Sequence, residues 1–318
     1  MDADELTSRI VGGDRRALAR AITHVENNTA TGRAVLAGLY PRTGRAQTIG
    51  ITGSAGVGKS TLASVLAAEE RARGRTVGIV AIDPSSPFSH GAILGDRIRM
   101  QALTSDDGVF LRSMASRGSL GGLSETATGV VDVFDAAGYD VVLLETVGAG
   151  QDEVEVATAT QTTVLVTAPA AGDDVQAMKA GLMEIAQVMV VNKSDLAGAD
   201  TTAQQLRALL SLAPAHSWKP SIVKTVARGG DGVGDLVDAI DRHQQYIRHS
   251  DRAADERTAL VRSQIVALAR ASLHREALTM AEREGTLDGL AEEVAERRTD
   301  PRTAADALLV AMRGGAAE

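Results

Sequence analysis

The chain of 318 residues contains no cysteine. That excludes disulfide scaffolding, thiolate catalysis and sulfur-ligated metal sites. Aromatics make up only 2% of it, with one Trp, three Tyr and three Phe, so the core must be built from Val, Leu, Ile and Ala. Positive charge is also in short supply: 33 Lys and Arg face 41 Asp and Glu, for a net charge of −8. No basic stripe stands out, and nucleic acid is not an expected partner, because backbone phosphates are bound by clustered Lys and Arg. No stretch approaches the ~18 consecutive apolar residues of a membrane span, so no membrane partner is expected. The opening MDADELTSRI is acidic, with neither a basic n-region nor an apolar h-region. A cytoplasmic protein is the expectation.

What is present is a layered pattern. The first 40 or so residues read as helical: in GDRRALARAITHVEN, Leu18, Ile22 and Val25 recur at helical spacing, with Asp14 placed to cap the start. From about residue 45, short apolar runs alternate with helical stretches. The runs are QTIGIT, TVGIVAID, GVFLRS, YDVVLLE, TTVLVTA, QVMVVNK and SIVKTVA. Runs apolar on both faces, separated by helices, predict a mostly parallel sheet flanked by helices in an α/β fold. After residue 250 the strands stop. ERTALVRSQIVALARASL carries Leu260, Ile265, Leu268 and Ser272 among helical repeats, and TDPRTAADALLVAM starts a last helix with Asp300 as N-cap and Pro301 in its first turn. The expected organisation is an N-terminal helical extension over 1–44, a nucleotide-binding domain over 45–250 and a helical arm over 251–318. The arm reads either as a solvated extension or as a surface for self-association or docking.

The chemistry begins in GITGSAGVGKST, where Gly53 to Ser60 form G-x-x-x-x-G-K-S. Glycines let backbone N–H groups converge on one concavity, so Gly53, Ser54, Ala55, Gly56, Val57 and Gly58 would cradle a polyphosphate. Lys59 would reach the β- and γ-phosphates, Ser60 would place its hydroxyl on Mg²⁺, and the helix that continues through Thr61 would aim its positive end at the charge. A strand-like run precedes the motif and a helical one follows it, as a P-loop requires.

The base is legible in VMVVNKSD, where Asn192, Lys193 and Asp195 make N-K-x-D at the end of an apolar run. A carboxylate at Asp195 accepts from both N1–H and the 2-amino group of guanine. Adenine lacks that donor pair and would leave the charge unpaired, which predicts selection of GTP and GDP. Lys193 would lie along the base plane, and Asn192 would tie this loop to the P-loop. Thr225, Val226 and Ala227, in KTVA, occupy the next strand end, where GTPases often place a base-contacting backbone stretch; Val226 departs from the common T-S-A form.

Three carboxylates are candidates for the metal side. Asp83 ends the run TVGIVAID and reads as a site residue beside the P-loop, with helix capping as the other possibility. Asp96 lies downstream, either a second carboxylate near the metal or a surface residue. Glu145 opens ETVGAGQDE in the place where an Asp is usual; its extra methylene suits it to reach a Mg²⁺-bound water. Gly148 would present its N–H to the γ-phosphate. Gln151 stands three residues beyond that glycine, displaced from a water-positioning place, and Arg97 and Arg99 read as solvated or as movable toward the phosphates. Slow intrinsic hydrolysis is the expectation, with nucleotide state rather than turnover as the output.

Together these segments resemble the MeaB/ArgK family of P-loop GTPases, chaperones of methylmalonyl-CoA mutase and related cobalamin-dependent acyl-CoA mutases. GDRRALARAITHVE, GITGSAGVGKST, AIDPSSPFSHGAILGDRIRM, SRGSLGGLSE, DVVLLETVGAGQDE, APAAGDDVQAMKAGLMEIA and VVNKSD carry the resemblance, from about residue 11 to the 240s. It implies a protein that binds GTP and GDP with Mg²⁺, gates adenosylcobalamin delivery to its mutase and protects that enzyme from inactivation. The family's third switch loop is similar to GDDVQAMKAG, which places Gln176 and Lys179 at positions implicated in signalling to the mutase. The tail is similar to the family's dimerisation arm, which implies a homodimer. SHGAILGDRIRM departs from the family's glycine-pair version of the first switch. Two other readings of the P-loop fold are a metal-insertion GTPase and a transport-protein kinase. The first would need Cys or closely spaced His ligands, and His24, His90, His216, His243, His249 and His274 show no tight spacing. The second would need a phosphoacceptor-binding domain, which nothing in the sequence resembles.

Overall fold

The computed structural model describes residues 1–84, 103, 105–116, 122–146, 152–169, 184–212, 218–283 and 285–315. Three helices come first: α1 (Ala3–Val11), α2 (Arg15–Glu26) and α3 (Ala30–Leu39). The α2 start is fixed as its sequence predicts, since the Asp14 carboxylate accepts from the N–H groups of Arg16 and Ala17 at 2.8 and 3.1 Å. Among the described residues seven strands follow: β1 (Gln47–Thr52), β2 (Val77–Pro84), β3 (Val109–Ser116), β4 (Val141–Glu145), β5 (Thr162–Thr167), β6 (Val188–Val191) and β7 (Ser221–Lys224). They pair in parallel in the order β3-β2-β4-β1-β5-β6-β7. Every one of the seven apolar runs is a strand, and β3 extends three residues beyond the run GVFLRS.

The connecting helices are α4 (Lys59–Ala72), α5 (Gly122–Ala136), α6 (Asp152–Ala159), α7 (Ala199–Leu212) and α8 (Val233–His249). Pleat alternation sends Ile49 and Ile51 of β1, Val141 and Leu143 of β4, and Val164 and Val166 of β5 to one face, where α4 and α8 cover them with Leu62, Leu66, Leu236 and Ile240. Val80, Ile82, Val142 and Leu144 point to the other face. There they share a core with Val130, Val133 and Phe134 of α5 and with Leu6, Ile10, Ile22, Val25, Val35 and Leu39 of the first three helices. Each such fully buried aliphatic side chain stabilises the fold by roughly 1.5–3 kcal/mol.

The join between α3 and β1 is held by a carboxylate. Asp135, buried on α5, accepts from the N–H groups of Gly44, Arg45 and Ala46 at 2.6, 3.1 and 2.9 Å. Three backbone donors converging on one buried side chain leave none of them unpaired.

The chain forms two compact units, Met1–Val261 and Arg262–Glu318. Helix α9 (Asp251–Arg283) enters the second, which continues with α10 (Thr286–Ala295) and α11 (Pro301–Gly315). The α11 start is capped as read from sequence, by Asp300 accepting from Arg302 and Thr303. In this second unit Ile265, Leu268 and Leu273 of α9 and Leu309 and Val310 of α11 are exposed apolar side chains. No described helix is long and apolar enough to cross a membrane.

Candidate nucleotide-binding site

The C-terminal ends of β1, β4, β5 and β6 lie side by side, and the sequence motifs stand at those ends. Gly53 leaves β1 with φ +138°, and a Cβ there would lie 2.1 Å from the Val166 carbonyl oxygen on β5. Only glycine fits that approach. Gly56 and Gly58 also take positive φ, and a Cβ on Gly56 would meet nothing within 4 Å, so the loop is open on that side. At Gly58, the residue before α4, a Cβ would lie 2.5 Å from Asn192 Nδ2. Helix α4 has no side-chain cap, unlike α2 and α3. Its first-turn N–H groups and positive end are thus offered to an anion.

Lys59 is buried, and its ammonium donates to the carbonyls of Gly53 at 2.6 Å and Ser54 at 2.9 Å. The charge is held inside the curve of the loop. Beside it the Ser60 hydroxyl donates to the Glu145 carboxylate, which is 3% exposed at the last position of β4. The longer side chain lets this carboxylate reach Ser60 itself, a contact that sequence reasoning missed. Asp83 is on β2, its backbone paired with Ala115 and two positions beyond Ala81, the partner of Glu145. Its backbone therefore stands at the same sheet edge as Glu145.

The base-side loop is tied to the P-loop from the opposite flank. Asn192, buried just past β6, donates from Nδ2 to the Val57 carbonyl at 2.8 Å. Its Oδ1 accepts from the Thr225 hydroxyl and the Ala227 N–H, both at 3.1 Å. Lys193 takes φ +55°, uncommon for a residue with a side chain, and its ammonium donates to the Gly56 carbonyl at 2.8 Å. Ser194 N–H donates to the Thr225 carbonyl at 3.0 Å, which fixes the turn that leaves Asp195 exposed. Val226 pairs with Asp231 in an isolated bridge, so the altered T-S-A stretch still presents Thr225 and Ala227 to Asn192. One amide thus joins three segments, and Lys193 adds a second link to the P-loop.

Asp96, Arg97, Arg99, Gly148, Gln151, Gln176 and Lys179 lie outside the described residues. The remaining polar groups fit a small hard cation. Ser60 and Glu145 supply oxygen donors, and among the described residues no group of three or more His, Cys, Asp or Glu forms a metal cage. One or two protein oxygens completed by phosphate and water is how Mg²⁺ is usually held, whereas a dedicated cage suits other ions.

The sequence profile described as "Methylmalonyl Co-A mutase-associated GTPase MeaB" matches residues 18–282. A Pyrococcus abyssi chain described as a GTPase is 44% identical over 316 residues, which cover 98% of this chain and 97% of that one. "GTPase ArgK" of Escherichia coli is 35% identical over 74% of each chain. The mouse "Methylmalonic aciduria type A homolog, mitochondrial" is 32% identical over 80% of this chain and 66% of that protein. Among solved structures, one titled "LAO/AO transport system kinase" superposes with a TM-score of 0.71 at 25% identity, covering 98% of this chain and 97% of that one. A P-loop, an N-K-x-D loop bolted to it by Asn192, and these likenesses along most of the chain agree: it belongs to the MeaB family of P-loop GTPases.

Proposed function

We propose that this GTPase serves a cobalamin-dependent acyl-CoA mutase, with methylmalonyl-CoA mutase or a relative as the partner. Its nucleotide state would gate the loading of adenosylcobalamin and protect the mutase from inactivation. The observation that carries the reading is the match of residues 18–282 to a family described by its association with that mutase.

In this reading the P-loop amides of Gly53 to Gly58 and the α4 N-terminus bind the phosphates, and Lys59 turns from its two carbonyls toward the β- and γ-oxygens. Asp195 reads the guanine edge, Lys193 flanks the base, and Asn192 holds both loops at the separation that base and phosphates demand. Ser60 and Glu145, with Asp83 and Asp96, would hold Mg²⁺, directly or through water. Bound there, the ion would offset charge on the β- and γ-phosphates. No glutamine follows Gly148 directly, so hydrolysis is slow and partner-stimulated. Gln176 and Lys179 pass nucleotide state to the mutase. The exposed apolar residues of α9 and α11 support a homodimer built through 251–318, with 45–250 as the GTPase domain and 1–44 as its helical extension.

The test is retention of purified methylmalonyl-CoA mutase on the immobilised chain with GDP or with a non-hydrolysable GTP analogue. Retention that depends on the nucleotide, and a nucleotide-dependent rate of adenosylcobalamin transfer, are expected. Equal failure with both nucleotides would overturn the mutase reading and leave the GTPase assignment standing.

A further inference from the structure

Three threonine hydroxyls are buried beneath the site with no hydrogen-bond partner among the described residues: those of Thr52, Thr146 and Thr167. Each residue is at most 1% exposed. They belong to three neighbouring strand ends, since β1 lies between β4 and β5. Thr52 ends β1, Thr146 follows β4, and Thr167 ends β5. Register places Ile51 opposite Glu145 and Thr52 opposite Leu165, so Thr52 and Thr146 are level and Thr167 is two residues further along. Pleat alternation puts all three on the face away from α4, because Ile51, Leu143, Glu145 and Val166 take the α4 side. A lone buried hydroxyl is an ordinary defect. Three in a row across adjacent strands, at the ligand-binding edge of the sheet, call for an explanation.

Each threonine is bonded, through its own backbone or its next neighbour, to a different functional group. Thr52 precedes Gly53, whose carbonyl takes the Lys59 ammonium. Thr146 follows Glu145, which holds Ser60, and its N–H donates to the Ile51 carbonyl at 3.2 Å. The Thr167 carbonyl accepts the Asn192 N–H at 2.8 Å. The row, read from β4 through β1 to β5, therefore runs beneath the metal, phosphate and base sides of the site in turn. Leaving a buried donor unmade is costly, and the cost is avoidable, since valine has nearly the same shape. Such a cost is consistent with a second arrangement of the same strand ends in which the hydroxyls find partners.

We propose that Thr52, Thr146 and Thr167 are positioning residues, whose hydroxyls become paired when the strand ends take their triphosphate-holding arrangement. The row acts beneath the ligand and does not touch it, biasing phosphate, metal and base sides to shift together. This inference rests on the GTPase site and is independent of which partner the protein serves.

The test replaces all three by valine in the full chain, with Thr146→Val alone as a milder companion. Thermal melting without nucleotide and calorimetric titration with GDP and with a non-hydrolysable GTP analogue, each with Mg²⁺, are the readouts. The expected result is an unchanged or higher melting temperature together with at least about tenfold weaker analogue binding and a smaller change for GDP. Thr146→Ser, which keeps the hydroxyl, is expected to bind like the parent. Analogue and GDP affinities both within about twofold of the parent would overturn the proposal, showing the row to be inert packing. A lower melting temperature in both valine variants would overturn it too, because the hydroxyls would then already be paired. An equal loss for both nucleotides would also refute it, since the row would then serve the fold rather than the triphosphate.

Discussion

Asn192→Ala tests the structural logic of the site most directly. The amide is 2% exposed and makes three bonds: to the Val57 carbonyl, from the Thr225 hydroxyl and from the Ala227 N–H. Its removal strands all three partners at once. At about 1 kcal/mol net for each bond, about 3 kcal/mol of loop order is lost, before any added penalty for groups left buried. A guanine nucleotide must then restore that order as it binds, so GDP affinity should fall roughly a hundredfold. Titration of a fluorescent GDP analogue measures the loss, and circular dichroism establishes that the variant is folded. Asn192→Asp separates the parts. It keeps both acceptor bonds and sets a carboxylate oxygen against the Val57 carbonyl, so it should also bind weakly despite retaining two of the three contacts. A folded Asn192→Ala chain within about threefold of the parent would refute the reasoning, since the loops would then be ordered by something else.

Two further substitutions probe the fold around the site. Asp132, partly covered on α5, has its carboxyl pushed up to about 7 by burial and then by Asp135. Its folded value lies above the unfolded one, so its stabilising contribution is full below about pH 4 and is lost as pH rises through about 7. The gap corresponds to about 4 kcal/mol, discounted to about 2 for partial exposure. Asp132→Asn should therefore melt several degrees higher at pH 8 and no higher at pH 4; an equal effect at both would sink this account. Gly53→Ala forces a Cβ to 2.1 Å from the Val166 carbonyl at φ +138°, and should abolish nucleotide binding or leave the chain insoluble. Nucleotide affinity near that of the parent would show that β1 and β5 can separate at no cost.

Much of the fold was legible because its signals are local. Seven apolar runs became seven strands, and Asp14 and Asp300 cap the helices that their spacing predicts. The P-loop and N-K-x-D motifs were readable for the same reason, with Asn192 reaching the P-loop as expected. What stayed hidden depends on residues far apart in the chain. Nothing near Asp135 tells that it will grip the backbone of residues 44–46, about 90 positions earlier. The direct contact of Ser60 with Glu145 depends on β1 and β4 being neighbours, although two strands intervene in sequence. The threonine row was invisible in the same way. In a strand, threonine reads as ordinary β-branched packing, and only strand order and register reveal that three of them share one face at adjacent strand ends.

The grip of Asp135 on the α3–β1 junction bears on how this protein can be handled. A fragment beginning at residue 47 would still encode both the P-loop and the N-K-x-D motif. It would also strip Leu6, Ile10, Ile22 and Val35 from the core that encloses Val130 and Phe134, and leave a buried carboxylate with no amides to receive. Trimming to the segment that bears the motifs would thus yield a sticky, poorly behaved polypeptide, and the opening helices must travel with the sheet in any expression or fusion design.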